Sequence, residues 1–276
     1  MSKILVPVLS FFILAGAVSF ASAGVVNTIA DAAGDYVTAA GGPSNVLTTF
    51  PPGWSYLTSS TLPGGGGTEI TLTAGSVGNT GEQGFNLSGA LLNVSAVTGT
   101  NSNGGDFEIL GNGQANNAVV GTDLLLHPAQ NTAVGNFVIA RYTVSQADVT
   151  NQVAGSGTIA GNFRNLVTGG GAADESITAD VFINNTSLFS VTGGLNGDFG
   201  TSDILTQADG TFNLTGFTFA AGDTIDFIVG ANGAFDADET ALNAIIQVET
   251  SAVPEPSTIA ILGLGCIGLV FRRRRK

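Results

Sequence analysis

The stretch DVFINNTSLFSV, residues 180–191, is the clearest statement of fold in this chain. On either side of Asn184 and Asn185 lies a short segment that mixes apolar and polar residues, and this pattern is typical of paired, half-buried β-strands. Asparagine tolerates the positive φ that a tight two-residue hairpin turn requires. The stretch therefore predicts a β-hairpin with Asn184 and Asn185 at its tip.

Similar short runs recur along the chain and predict further strands over residues 69–73, 106–110, 137–144 and 223–229. Glycine-rich segments separate many of these runs, and no amphipathic segment has the length of a typical helix. Many short strands without crossover helices favour two packed antiparallel sheets. We therefore predict an all-β fold, an antiparallel, jelly-roll-like β-sandwich, as one domain over residues 24–251.

Charge excludes one class of function. Residues 24–252 contain only two basic side chains, Arg141 and Arg164, against 20 acidic ones, a net charge of about −18. Binding a nucleic-acid backbone needs clustered lysine and arginine. No nucleic-acid partner is therefore expected.

The chain is also poor in the side chains that carry out catalysis. Its one histidine is His127, its one cysteine is Cys266 near the C-terminus, and residues 24–252 contain no lysine. These counts exclude a disulfide within that stretch, a cysteine nucleophile and Schiff-base chemistry there. Scattered carboxylates could pair as in a glycosidase, but such pairs arise by chance among 20 acids. We predict that the protein is not an enzyme.

The N-terminus has the order of a secretory signal. Lys3 precedes an apolar run over residues 4–20, and Ala21 and Ala23 supply the small residues that a signal peptidase accepts. The interpretation is a signal peptide over residues 1–23, cleaved by signal peptidase so that the mature chain begins at Gly24. A buried hydrophobic segment is the alternative.

The C-terminus places an apolar run, residues 257–271, directly before a basic cluster. The run is shorter than the roughly 20 residues that span a bilayer perpendicularly, but snorkelling arginines and local thinning of the bilayer make up the difference. A cluster of positive charge stays on the cytoplasmic side and stops translocation. The sequence predicts a transmembrane helix whose membrane stop is formed by Arg272, Arg273, Arg274, Arg275 and Lys276.

A short box precedes this helix, and box, helix and basic tail together resemble the PEP-CTERM sorting signal of Gram-negative envelope proteins. The box consists of Val253, Pro254, Glu255, Pro256 and Ser257. The resemblance covers residues 252–276. It implies that Pro254, Glu255 and Pro256 are recognised by an exosortase, a membrane-embedded protease or transpeptidase. It also implies an extracellular-matrix or biofilm setting rich in polysaccharide. A plain membrane anchor is the alternative.

The body carries a second resemblance, over about residues 50–248. The segments resemble, in order, a β-sandwich module common in PEP-CTERM proteins and similar in outline to carbohydrate-binding jelly rolls. They include residues 140–144 (ARYTV), residues 180–189 and residues 221–230. Upstream, Trp54 and Tyr56 resemble the Trp-x-Tyr segment that opens the same proteins. The stretch over residues 191–210 is enlarged relative to that pattern.

Two groups of residues are candidate ligand sites, and each has both a ligand-binding and a purely structural interpretation. Trp54 and Tyr56 lie two apart and share a face of an extended strand, where exposed rings would stack on sugars and buried rings would pack in the core. Asp236, Asp238 and Glu239 offer hard oxygen ligands that suit Ca²⁺, the one cofactor considered, or form a solvated acidic loop.

These observations support two hypotheses of function. The first is an exported, non-enzymatic cell-surface or extracellular-matrix protein. It is held in the membrane by its C-terminal helix and then moved to the cell envelope or exterior by sorting. The second is a carbohydrate-binding module that acts in the extracellular polysaccharide matrix.

Overall fold

The computed structural model describes residues 24–40, 49–75, 84–87, 106–109, 124–127, 137–165, 177–193, 210–231 and 240–251. Within these ranges the chain forms thirteen β-strands and one α-helix. Their bounds are β1 Val25–Asp31, α1 Ala32–Ala40, β2 Trp54–Ser59, β3 Glu69–Gly75, β4 Gly84–Leu87, β5 Asp106–Ile109, β6 Leu124–His127, β7 Phe137–Thr143, β8 Gly157–Asn165, β9 Ile177–Ile183, β10 Thr186–Gly193, β11 Thr211–Phe217, β12 Thr224–Ala231 and β13 Thr240–Thr250.

The strands form two antiparallel sheets. Sheet 1 has the order β10-β9-β12-β7-β2-β3, and sheet 2 continues from β3 as β4-β5-β6-β13-β8-β11, with β1 paired to β13. Strand β3 joins the sheets because its first residues, 69–71, pair with β2 and its last, 72–75, pair with β4. The arrangement is open and sandwich-like, which confirms the prediction of an antiparallel β-sandwich body.

The last eight strands pair in a nested order. Strand β6 pairs with β13, β7 with β12, β8 with β11 and β9 with β10, as in one long hairpin folded over into two layers. Additional pairs between β13 and β8 and between β12 and β9 close each layer. The tip of this long hairpin is the turn at Asn184 and Asn185, whose φ values of 47° and 67° confirm the predicted positive-φ turn.

The main core lies between the sheets. Alternate residues of β12 and β13 supply Ile225, Phe227, Leu242 and Ile246, each 0% exposed. Aromatic rings cross from one layer to the other: the centroids of Phe212 on β11 and Phe227 on β12 are 6.0 Å apart. Because strand residues alternate between two faces, this core uses every second side chain of each strand.

The outer face of sheet 1 carries a second apolar cluster. Leu57, Ile139, Phe182 and Ile228 are buried there, and Leu62 and Phe137 pack against them. Leu62 belongs to the loop between β2 and β3, in which the Gly65 amide donates to the Leu62 carbonyl oxygen. The loop thus lies over the outer face, and sheet 1 is covered on both sides.

Helix α1 and strand β1 are findings that the sequence analysis did not predict. Nine residues are too few to show an amphipathic pattern, and Gly34 lowers the helix propensity of the segment. Packing compensates, because Ala32, Ala33 and Tyr36 of the helix lie in the main core. The prediction of an all-β fold is therefore corrected to a mostly β fold, because α1 is a helix within the body.

Residues Val25–Thr250 form one compact unit. Among the described residues no helix is long and apolar enough to cross a membrane. The predicted signal peptide, residues 1–23, and the predicted transmembrane helix within residues 252–276 lie outside the described residues, and both stay predictions.

Candidate functional site: the cleft beside helix α1

The first turn of α1 is set by two aspartates. Asp31 is the N-cap, because its Oδ1 accepts a hydrogen bond of 2.9 Å from the Gly34 amide. In return Asp35 Oδ2 accepts one of 3.0 Å from the Asp31 amide. A Cβ at position 34 would lie 2.7 Å from Asp31 Oδ2, so only glycine leaves the cap in place. This reciprocal capping fixes the Asp35 carboxylate at the start of the helix.

Residues 51–54 form a tight turn that places Trp54. The Trp54 amide donates to the Pro51 carbonyl oxygen at 3.0 Å, and Gly53 has φ +80°, as a type II turn with proline and glycine at its centre requires. The Trp54 indole Nε1 then donates to Asp35 Oδ2 at 2.9 Å. The Asp35 carboxylate is thereby held from both the helix and strand β2.

A third element, the turn after β7, places Asp148. Its Oδ2 accepts a hydrogen bond of 2.7 Å from the Ser145 amide and lies 2.8 Å from the Tyr142 hydroxyl. The same hydroxyl lies 2.9 Å from the Ile29 carbonyl oxygen, so its single proton serves one of the two acceptors at a time. Burial, and next the hydrogen bond to Asp148, raise the pKa of Tyr142 above the ordinary value for a tyrosine.

These three elements enclose a cleft of about 320 Å³. Its lining includes Asp35, Thr38 and Ala39 of α1, the turn at residues 51–53, and Tyr142, Ser145 and Asp148. Each aspartate uses Oδ2 for the bonds described above, and among the described residues neither Oδ1 has a hydrogen-bond partner. Two aspartates, three hydroxyl-bearing side chains and apolar residues thus line the cleft, and this mixture suits a ligand with hydroxyl or amine groups.

The residue types that line the cleft limit its chemistry. Its lining holds two carboxylates and no histidine, cysteine or lysine. Within the described ranges no group of three or more His, Cys, Asp or Glu side chains could hold a metal ion. The carboxylates of the lining can accept hydrogen bonds, and its hydroxyl groups can accept or donate them.

A second charged cluster lies on sheet 1 and joins three of its strands. Arg141 on β7 donates from Nε and Nη2 to Asp226 on β12 at 2.6 and 2.9 Å, and from Nη1 and Nη2 to Glu69 on β3 at 2.7 and 2.8 Å. The Asp226 side chain is fully buried, whereas 32% of the Glu69 side chain is exposed. Each carboxylate receives two hydrogen bonds from the planar guanidinium of Arg141, and these two bidentate contacts fix the register of the strands.

The surroundings shift the pKa values of this cluster. The hydrogen bond to Asp226 is the largest cause that raises the pKa of Arg141, so this side chain stays charged. Burial raises the pKa of Asp226, and the hydrogen bonds from Arg141 oppose that rise. We interpret the cluster as a structural ion pair, because Asp226 is fully buried and Arg141 binds two carboxylates on neighbouring strands.

The rings of Trp54 and Tyr56 are core residues. Trp54 is 4% exposed and Tyr56 is 0% exposed, and the two rings lie nearly parallel with centroids 6.3 Å apart. Tyr142 and Phe227 cover the Trp54 ring from other directions. The stacking hypothesis required exposed faces, so it is wrong here, and the core-packing alternative is the correct one. The reason is that both rings lie on the face of β2 that packs into the main core between the sheets.

The other predicted sites lie outside the described residues or at their edge. Asp236, Asp238 and Glu239 are outside, so the calcium site and the acidic loop both stay predictions. The same holds for Ala21 and Ala23 of the signal cleavage site, for residues 253–257 of the sorting box and for residues 272–276 of the membrane stop. Gly24 is described and directly precedes β1.

Sequence analysis missed the residues of the cleft. Two local signals were present: Asp31 and Asp35 bracket the start of α1, and Ser145 with Asp148 has the spacing of a capping box. The Asp148 amide indeed lies 3.3 Å from Ser145 Oγ. Those signals predict turns and helix ends. They do not show that three such ends, distant in sequence, meet around one cleft.

Comparison with known protein families matches one segment of the chain. Residues 252–275 match the PEP-CTERM protein-sorting motif. Comparisons with curated proteins and with solved structures give no match for the chain. The matched segment begins two residues after the last residue of β13. The chain therefore carries a PEP-CTERM sorting motif at its C-terminus, behind a β-sandwich body, and the motif implies an exported surface protein that an exosortase sorts.

Proposed function

We propose that this protein is a non-enzymatic cell-surface or extracellular-matrix protein whose β-sandwich body is delivered outside the cell by its sorting motif. The observation that carries the proposal is the motif at residues 252–275. In this proposal a signal peptidase removes residues 1–23, and residues 257–271 span the membrane while the basic tail, residues 272–276, stops translocation. An exosortase then removes that segment, and the body remains in the envelope or matrix.

The composition of the body supports the absence of catalysis. A single histidine, no lysine and no cysteine within residues 24–252 leave few groups for nucleophilic or acid–base chemistry. The acidic side chains described above are engaged in capping, in a buried ion pair or in the cleft. A body that is compact, acidic and free of disulfides fits display in a hydrated matrix, where net charge keeps proteins soluble.

The nested strand pairing supports a jelly roll as the finer description of the body. In a jelly roll eight strands pair first with last, second with seventh and so on, and roll up into two four-stranded layers. The layers β6-β13-β8-β11 and β7-β12-β9-β10 have that order. Strands β2 to β5 extend both layers on the side where β6 and β7 lie.

The test of sorting follows the precursor in cells that contain an exosortase. Glu255→Ala, or Pro254→Ala with Pro256→Ala, should leave export intact and hold the uncut protein in the membrane fraction of a pulse-chase experiment. Glu175→Ala is the matched control, because it removes a glutamate that lies far in sequence from the box. Variants of the box that leave the membrane at the rate and size of the unmodified protein would reduce the motif to a simple anchor.

A second candidate function, polysaccharide binding, is favoured by the cleft beside α1. The two Oδ1 atoms without partners would accept hydrogen bonds from sugar hydroxyl or amine groups. Ala39→Trp should fill the cleft without removing a hydrogen bond, and Ala147→Trp, at an exposed turn position that is not part of the lining, is its control. Polysaccharide pull-down by residues 24–251 that Ala39→Trp abolishes and Ala147→Trp preserves would support this role. Binding that Ala39→Trp leaves unchanged would exclude the cleft.

A further inference from the structure

The last residues of β13 pair with other segments of the backbone along both edges of the strand. On one side Val25 and Val26 of β1 pair with Thr250 and Glu249, and Asn27 Nδ2 donates to Thr250 Oγ1 at 2.8 Å. On the other side the Val153 amide donates to the Glu249 carbonyl oxygen at 2.8 Å, and Gln152 forms a bridge with Thr250. The folded sheet therefore continues to Thr250.

Very little chain separates this end from the sorting box. The match to the sorting motif begins at residue 252, and the first residue of the box is Val253. Three residues span at most about 11 Å when fully extended. Any enzyme that holds Val253 must therefore bring its own surface within that distance of Thr250.

The same end of the body carries exposed apolar side chains. Among the described residues the exposed large hydrophobic side chains are Val26 at 62%, Val25 at 52% and Val153 at 38%. All three flank the last two residues of β13, two through β1 and one through the segment that pairs on the opposite side. Single exposed valines are ordinary. Val25 and Val26 are neighbours in β1 and therefore point to opposite faces of the sheet, so the three valines surround the end of β13 instead of forming one flat patch. We name these three residues the valine collar.

We propose that the valine collar is a contact surface for the enzyme that processes the sorting motif. This inference rests on the proposed function, in which that enzyme is an exosortase. A standard protein interface covers about 800 Å² on each partner, a patch with a radius of about 16 Å. An enzyme seated on Val253 would cover the collar within such a patch, and burying the valines would add to the recognition of the box.

A lipid surface fits the collar less well than an enzyme does. Segments that bind membrane interfaces combine apolar residues with aromatic rings and basic charge. The collar has valines only, and the body that carries it has a net charge near −18, which anionic lipid would repel. The apolar contact therefore points to a protein partner.

The experiment measures the rate of processing of the full-length precursor in cells that contain the exosortase. Val153→Ser is the main variant because position 153 is far in sequence from the signal peptide. Val25→Ser with Val26→Ser is the second variant. Thr186→Ser, an exposed position at the β9–β10 hairpin, is the control. Each collar variant should slow processing roughly three- to tenfold, the range expected from uncovering part of one or two valines, with export unchanged.

A second arm separates contact from other causes. A flexible insertion of 12 glycine and serine residues between Ser251 and Ala252 adds an average reach of about 20 Å. In this background the enzyme can hold the box away from the body, so Val153→Ser should have no further effect. Val153→Ser processed at the unmodified rate in the native chain would overturn the inference, as would equal slowing with and without the insertion. Failure of the sorting proposal itself is distinguished by Glu255→Ala, which blocks processing whenever the motif is read.

Discussion

The two sheets of the sandwich differ in what covers their outer faces. On sheet 1 the outer face is buried: Leu57, Ile139, Phe182 and Ile228 form an apolar cluster there, beside the ion pair of Arg141. On sheet 2 the outer face is largely polar, with exposed residues on β11 and half-buried ones on β13. They include Thr211, Asn213, Thr215, Asn243, Ile245 and Gln247.

This difference explains two kinds of sequence pattern. Strands β7 and β12 of sheet 1 have runs of consecutive buried residues, over residues 138–140 and 225–230. Most of β13 and the start of β11 alternate between buried and less buried positions. A strand with both faces covered has a continuous apolar run, and a strand with one solvated face alternates. The type of run thus indicates how many faces of a strand are covered.

The largest loss of stability is expected from removing the charge of Arg141, which is the partner of the buried Asp226 carboxylate on the outer face of sheet 1. Arg141→Met leaves the Asp226 carboxylate buried without its partner, and losing one partner of a buried ion pair costs about 3–5 kcal/mol. Urea unfolding of residues 24–251 measures the change in the free energy of unfolding. The double variant Arg141→Met with Asp226→Leu should recover most of the loss, because it removes both charges. A loss below about 1 kcal/mol for Arg141→Met, the range of surface ion pairs, would show that this face is solvated.

A smaller loss of stability is expected when one methylene group is removed from the outer face of either sheet. Ile228→Val on sheet 1 should lower the free energy of unfolding by about 0.5–1.5 kcal/mol, the usual cost at a buried site. Ile245→Val on sheet 2 is the matched control at a half-buried position, and it should stay within about 0.5 kcal/mol. Equal losses at the two positions would remove the difference between the faces.

The smallest effect is a pH dependence at Asp180, a buried residue of β9 that is 2% exposed. Burial raises the pKa of Asp180 above 3.8, and a hydrogen bond from Ser190 opposes the rise. The folded protein therefore holds this proton more tightly than the unfolded chain. The contribution of Asp180 to stability falls as pH rises through the window that begins near 3.8.

Asp180→Asn should remove that dependence. The variant should be more stable than the unmodified protein at pH 7, and the difference should vanish in acid below the window. Melting temperatures of both proteins at matched ionic strength, measured from pH 3 to pH 7, show the difference as a function of pH. A constant difference across that range would mean that the Asp180 carboxylate is solvated.

Nearly half of the strands could be predicted from the sequence because their signals are local. The runs at residues 69–73, 106–110, 137–144 and 223–229 correspond to β3, β5, β7 and β12, and the hairpin was placed with its turn. No run was predicted for strands β1, β4, β6, β8, β11 and β13 or for helix α1. For β1 and α1 the reason is that their stability depends on distant partners. Strand β1 pairs with β13, more than 200 residues away in sequence, and α1 packs on the core through alanines and one tyrosine.

The candidate sites also differ in whether the sequence alone could predict them. The sorting motif is a contiguous segment, so it could be recognised without a structure, and the family comparison confirms the motif over residues 252–275. The roles of the individual box residues stay predictions. The cleft combines residues from α1, from residues 51–53 and from the turn after β7, and no local pattern joins them. Trp54 and Tyr56 illustrate the limit of a two-residue spacing, which places both rings on one face but does not say that this face is the core.

The central claim, that the body is exported and sorted through its C-terminal motif, is tested most directly by the intact mass of the product found outside the cell. Cells with an exosortase should yield a product that begins at Gly24 and lacks the basic tail, residues 272–276. Cells without the exosortase should retain a membrane-bound form that keeps the tail. An external product that still carries residues 272–276 in cells with the enzyme would contradict the account.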